Sequence, residues 1–215
     1  MATVEGPLVL ADISGYTKFI AATELEHSDV LVRRLLNTIV ASLKGRLEMV
    51  QLEGDAVFFV GEGVPPELVQ WLEDSYVTFH RRMRRFLERR QCSCDACARA
   101  PELTLKLIAH YGRYSRQRIG DTGQVHGVDV IVPHRLAKNS VPSHEYILAT
   151  RDLLERLPEA QRASFVPHTE DADGFGQISV GYRDLASLRE DSARFTDMLH
   201  KLPAAEKAAG KVKAP

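Results

Sequence analysis

The stretch Pro7-Leu-Val-Leu-Ala-Asp-Ile-Ser-Gly-Tyr-Thr17 decides how the rest of the chain is read. Pro7 to Ile13 is an apolar run of strand length, and it stops at Ser14-Gly15-Tyr16-Thr17, residues that favour a turn leading into a short helix. Asp12 is the exception within the run. An unpaired carboxylate at the end of a buried strand costs several kcal/mol unless a cation or hydrogen-bond donors compensate it. Position alone therefore marks Asp12.

Outward from this strand, Leu31, Leu35, Ile39 and Leu43 recur every four positions between a Ser28-Asp29 cap signal and Gly45, which predicts an amphipathic helix over Ser28 to Lys44. Leu47 to Gln51 and Ala56 to Val60 read as the strands of a hairpin whose tight turn contains Glu53-Gly54-Asp55. Val64-Pro65-Pro66 opens a second long helix with an apolar stripe of Val69, Leu72, Tyr76, Phe79, Met83 and Phe86. Leu103 to Tyr111 alternates up to Gly112 as a strand does. Further along, Gln124 to Val132 reads as a strand turning into a helix at His134 to Asn139. Tyr146 to Ala149 reads as a strand, Arg151 to Leu157 as a helix and Gln177 to Tyr182 as a last strand. The Ala/Lys-rich end, Ala204 to Pro215, is expected to fray. Irregular alternation around a central hairpin favours an α/β sandwich, a mixed or antiparallel sheet covered by helices, over a doubly wound parallel fold. Residues 1–203 are expected to form a single domain carrying an insert near 88–102.

The chain has 215 residues, 28 Lys plus Arg against 29 Asp plus Glu, and 44% hydrophobic residues, an ordinary globular composition. A net charge of −1 gives no bulk attraction to nucleic acid or an anionic membrane, so neither is an expected partner. No apolar run approaches the roughly 18 residues that span a bilayer, and Met1 to Pro7 lacks a basic region followed by an apolar one. A cytoplasmic protein is expected.

Asp55, at the tip of the hairpin, would lie beside Asp12. Two carboxylates from adjacent strand ends can hold one or two Mg²⁺ ions against a triphosphate, and the N–H groups of Ile13 to Thr17 ahead of a helix can bind phosphate oxygens. The same spacing also fits a helix-capping Asp12 and an Asp55 that merely makes the turn.

Leu10-Ala-Asp-Ile-Ser-Gly-Tyr-Thr17 resembles the metal and phosphate signature of class III nucleotidyl cyclases, and Glu53-Gly-Asp-Ala-Val-Phe-Phe59 resembles that family's second metal hairpin. Ala109-His-Tyr-Gly112 is similar to its central strand ending in His-x-Gly, and Gly127-Val-Asp-Val-Ile-Val-Pro-His-Arg-Leu136 to its Gly-x-x-Val-Asn-x-Ala-x-Arg-Leu segment. The resemblance covers residues 7–185. It implies a βαββαβ-type core, a head-to-tail homodimer, and sites built from both subunits at the interface. Asp12, Asp55 and the Ile13 carbonyl would hold two Mg²⁺ or Mn²⁺ ions. The segment Ser14, Gly15, Tyr16 and Thr17 would meet a nucleoside triphosphate, and Arg135 would act catalytically on its phosphates from the other subunit. The metals would activate the ribose 3′-hydroxyl for attack on the α-phosphorus and stabilise the departing pyrophosphate.

Departures from the family pattern fall on the base and the transition state. The base-reading lysine is Gln51 here, and the base-reading Asp or Cys is Gln124; a glutamine amide can donate or accept, so base choice is unreadable. The family's Asn is Ile131, which has no hydrogen-bonding capacity, and losing one oriented donor costs on the order of 10²-fold to 10³-fold in rate. Where the family often has Lys-Gly-Lys-Gly, this chain has Asp173-Gly-Phe-Gly176. The expectation is a nucleotide-binding domain with weak or no cyclisation; the rival within the fold is an active cyclase of altered base preference.

Cys92-Ser-Cys-Asp-Ala-Cys97 lies outside the cyclase pattern, as in a bacterial subgroup of cyclase homologues with such an insert. Three clustered cysteines make a poor disulfide framework, so Cys92, Cys94 and Cys97 are candidates for Zn²⁺ or redox chemistry. A fourth zinc ligand could come from Asp95, His80, His110 or the other subunit. His27, His126, His144, His168 and His200 show no ligand spacing. The six arginines between His80 and Arg90 read either as an anion contact or as a solvated helix end. From a different class comes a thiol or zinc sensor that uses the fold only as a dimerising scaffold.

Overall fold

The computed structural model describes residues 3–89, 94–120 and 122–189. The opening apolar run becomes the centre of a mixed sheet. Strand β1 (Thr3–Ser14) pairs antiparallel with β3 (Ala56–Val60), from Leu8↔Val60 to Asp12↔Ala56. On its other side β1 pairs antiparallel with β4 (Thr104–Ile119), from Thr3↔Ser115 to Ser14↔Thr104. Strands β2 (Glu48–Glu53), β6 (Tyr146–Thr150), β7 (Val166–Ala172) and β8 (Gly176–Asp184) complete the order β2-β3-β1-β4-β6-β8-β7, and β5 (Thr122–His126) pairs with the far end of β4. The β4–β6 pair is parallel and every other pair antiparallel.

Both faces of the central strands are buried, which is why Pro7 to Ile13 of β1, Asp12 apart, and the whole of β3 read as apolar runs. Helices α2 (Leu25–Leu43) and α3 (Leu68–Glu88) cover one face, packing Leu35, Ile39, Leu72 and Phe79 against Val9, Ala11, Phe59 and Leu107. The other face packs Leu8, Leu10, Phe58 and Ile108 under Val132 and Leu136, at the end of α5 (Val128–Arg135). Short helices α1 (Tyr16–Ala21), α4 (Asp95–Arg99), α6 (Arg151–Leu154) and α7 (Glu159–Arg162) fill the connections. Among the described residues, no helix is long and apolar enough to cross a membrane.

Several boundaries differ from the sequence expectations for local reasons. Helix α2 begins three residues before Ser28, whose buried hydroxyl donates to the Leu25 carbonyl within the helix instead of capping it. Strand β4 runs past Gly112, where a glycine is needed because an added Cβ would sit 2.3 Å from the Asp129 Cβ. Helix α5 starts at Val128, not His134, and encloses Pro133. Helix α6 ends at Leu154 and leaves Leu157 in a turn. Strand β7 escaped the pattern because it is an edge strand, mostly exposed, and contains Pro167. Cys92 and the 204–215 tail lie outside the described residues.

Candidate functional site

The register Asp12↔Ala56 sets Asp12 directly beside the hairpin turn, and the Ile13 N–H donates to the Asp55 carbonyl at 3.2 Å. The two carboxylates therefore share one corner of the sheet. Burial pushes the Asp55 carboxyl above the usual range, the neighbouring Asp12 adds to that rise, and Lys106 opposes it. Asp12 caps no helix: the residue preceding α1 is Gly15, and the Asp12 Oδ2 pairs with Lys106 Nζ at 3.2 Å. Lys106 faces Asp12 across the β1–β4 ladder and also donates to the Ala137 carbonyl at 2.9 Å.

Gly15 turns the chain from β1 into α1 at φ 87°, and the Phe19 N–H then donates to its carbonyl at 3.0 Å. A Cβ at Gly15 would lie 2.9 Å from the Glu102 carbonyl oxygen, so the turn is pressed against the segment entering β4. Between them lies a cleft of about 530 Å³ whose walls include Asp12, the Ile13 to Lys18 segment, Asp55, Glu102, Thr104, Lys106 and His144. Hard oxygen donors on one wall and a turn with open backbone on the other suit a divalent cation carrying phosphates.

Gln51 stands exposed on β2 and Gln124 exposed on β5, and neither is among the residues lining the cleft. Arg135, at the end of α5, also lies outside it, with its Nη1 3.3 Å from Asp173 Oδ2 in the β7–β8 turn. Ile131 is 44% exposed on the same helix. Thus one chain brings together Asp12, Ile13, Asp55 and Ser14 to Thr17, and leaves Gln51, Gln124 and Arg135 elsewhere on its surface.

Sequence reading did not single out three supporting groups. Lys106 is one. His134 is the second: its ring bridges the Val130 carbonyl at 2.8 Å and Glu53 Oε1 at 2.9 Å, tying α5 to the hairpin that carries Asp55. The third is Glu145, whose Oε2 accepts from Tyr76 Oη at 2.6 Å and from Thr104 Oγ1 at 2.8 Å. Thr104 spends its single proton on that carboxylate, so His80 Nε2, 3.1 Å away, donates to the threonine oxygen.

The insert assembles differently from the expectation. His80 is buried against Thr104 and His110 bonds Thr150, so neither reaches the cysteines. His27, on α2, does: its Nδ1 is 3.0 Å from Cys94 Sγ, and the ligand atoms of His27, Cys94 and Cys97 all lie within 4.8 Å of one another. The arginine run of α3 borders a neighbouring cavity of about 610 Å³, lined by Arg34, Arg82, Arg85 and Arg89 together with His27 and Cys97.

These features define a class. The fold is that of class III nucleotidyl cyclase catalytic domains: the guanylyl cyclase Cya2 superposes with a TM-score of 0.66 at 11% identity, over 84% of this chain and 92% of that one. The guanylate cyclase domain of RhGC from Catenaria anguillulae, solved with GTP, gives 0.62 at 14%, over 85% and 97%. A bacterial light-regulated adenylyl cyclase gives 0.65 at 14%, over 89% of this chain, which spans 58% of the length of that cyclase. At such identities the likeness is one of fold. Within it, the chain belongs to the family described as "Protein of unknown function (DUF2652)", whose model matches residues 32–146. Its relative "Uncharacterized protein Rv2561/Rv2562" of Mycobacterium tuberculosis is 32% identical over 163 residues, 72% of this chain and 73% of that protein.

Proposed function

We propose that this chain binds a nucleoside triphosphate through divalent metal at Asp12 and Asp55, as a head-to-tail homodimer, and cyclises it weakly or not at all. The observation that carries the reading is the carboxylate pair at the junction of β1 and the β2–β3 hairpin, next to the Ser14 to Thr17 turn. Two buried-end carboxylates and the Ile13 carbonyl are hard oxygen ligands, the donor set that Mg²⁺ or Mn²⁺ takes. Such ions would neutralise the triphosphate and make the ribose 3′-hydroxyl a better nucleophile.

The protein's own groups do the rest. Lys106 pairs with Asp12 and, anchored also on the Ala137 carbonyl, would keep its positive charge beside the phosphates of a bound nucleotide. The Gly15 turn brings backbone N–H groups to the phosphate oxygens. Gln51, Gln124 and Arg135 are remote from the cleft in one chain, an arrangement that suits a second subunit completing the site. Exposed apolar side chains on edge strand β2, Met49 and Leu52, and on α5, Val128 and Ile131, support such an interface. Slow turnover follows from Ile131, which cannot orient the transition state.

The experiment is a mass-spectrometric assay of purified protein with ATP, GTP, CTP or UTP and Mn²⁺, with Asp12→Ala as the blank. The expected result is little or no cyclic monophosphate, together with nucleotide- and metal-dependent thermal stabilisation that Asp12→Ala and Asp55→Ala abolish. A rapid Asp12-dependent yield of cyclic product would instead establish the active cyclase. Stabilisation that survives both substitutions would overturn the metal assignment.

A further inference from the structure

We infer that His27, Cys94 and Cys97 form a zinc site that clamps the start of α2 to the insert ahead of β4. His27, Cys94 and Cys97 are not among the residues lining the Asp12–Asp55 cleft, so the site stands apart from the nucleotide reading. Three ligand atoms of the types zinc prefers, two thiol sulfurs and an imidazole nitrogen, lie within 4.8 Å of one another. A tetrahedral ion with Zn–S near 2.3 Å and Zn–N near 2.0–2.1 Å needs ligand-to-ligand edges of about 3.6–3.8 Å. The 3.0 Å His27 Nδ1 to Cys94 Sγ contact would open by roughly half an ångström on loading, and the other edges, at most 4.8 Å, would close by up to about an ångström.

The ligands are held by more than one element. Cys94 and Cys97 bracket the first turn of α4, His27 stands on α2, and Cys94 and His27 are 67 residues apart in sequence. Convergence from such a distance is not explained by local turn chemistry. Glu24, immediately before α2, accepts from the Ala96 N–H at 3.2 Å and from the Cys94 side chain, so the same two segments are already joined by a carboxylate. Glu24 or a water completes the fourth position. Four arginines line the adjoining cavity together with His27 and Cys97. On binding, the two thiols release their protons to solvent and His27 ligates as the neutral imidazole.

The clamp has a mechanical sense. Helix α2 begins two residues upstream of His27, and a short connection leads back from it to α1 and the Gly15 turn; five residues downstream of Cys97 the chain reaches Glu102, against whose carbonyl that turn is pressed. Zinc would fix the distance between the two walls of the cleft.

The test uses the full untagged chain, purified and equilibrated with zinc, then desalted and analysed for metal. One zinc per chain is expected, and Co²⁺ in its place should give a thiolate charge-transfer band and the intense visible absorption of tetrahedral cobalt. His27→Gln, at an exposed helical position, should keep the fold and weaken zinc binding by more than about 100-fold, beyond the usual effect of altering an outer partner. Cys94→Ser should do the same and remove the charge-transfer band. Metal content below about 0.1 per chain, or affinity unchanged in both variants, would overturn the site. Loss of zinc in Asp12→Ala with retention in His27→Gln would overturn it too, by moving the ion to the carboxylate pair.

Discussion

Lys106 holds two constraints on the cleft at once, pairing with Asp12 and bonding the Ala137 carbonyl. Removing it leaves two neighbouring carboxylates with no cation. Lys106→Met is therefore expected to destabilise the metal-free protein by about 1–3 kcal/mol, less than a fully buried pair because both groups keep some water. Millimolar Mn²⁺ should restore most of that loss, and denaturant midpoints with and without metal measure it; no restoration would mean that the carboxylates do not take the ion. Asp12 was legible in the sequence because a carboxylate in an apolar run has to be compensated. Lys106 was not, because a lysine flanked by leucines in an alternating strand looks like any residue on a wet face. His27 was invisible for another reason: its partners are 67 residues or more away, and only the fold brings them together.

At the scale of elements, α3 docks on β4 through a polar chain inside an apolar seam. Burial pushes His80 down to about 3, and the positive charges of Arg189 and Arg84 push in the same direction. Glu145 lies 3.7 Å from the ring, and Tyr76, Phe79 and Thr104 complete its surroundings. Since the unfolded histidine titrates near 6.5, the unfolded chain binds the proton first as pH falls, and stability drops below pH 6.5 until about pH 3. The slope is about 1.4 kcal/mol per pH unit, so roughly 2 kcal/mol is lost between pH 6.5 and 5. Urea unfolding across that range should show it, and His80→Gln should flatten it; an unchanged slope would place the acid sensitivity elsewhere. Central elements such as β1, β3, α2 and α3 were readable because burial on fixed faces writes a period into the sequence. Strand β7 and the early start of α5 were not, since an edge strand has little to bury and a short helix has too few turns to show a stripe.

At the scale of the molecule, the proposed second subunit would cover Leu52, 53% exposed, and Ile131, 44% exposed. Leu52→Asp combined with Ile131→Asp is expected to shift the sedimentation profile from dimer to monomer without changing the circular dichroism. A monomeric starting protein, or a dimer indifferent to both changes, would remove the interface from these elements. The sheet that supports all of this has another consequence. Strand β1 meets β3 by residue 60, but its longer partner, β4, spans residues 104–119. At roughly 5–20 residues per second of synthesis, the ribosome has to work on for several seconds with one edge of β1 open. A nascent chain in that interval is half a sheet with an apolar strand at the rim, and each neighbouring ribosome on the message offers an identical rim. Those copies have to stay apart until β4 emerges, so the rate of translation through the insert sets how long the protein is exposed to its own kind.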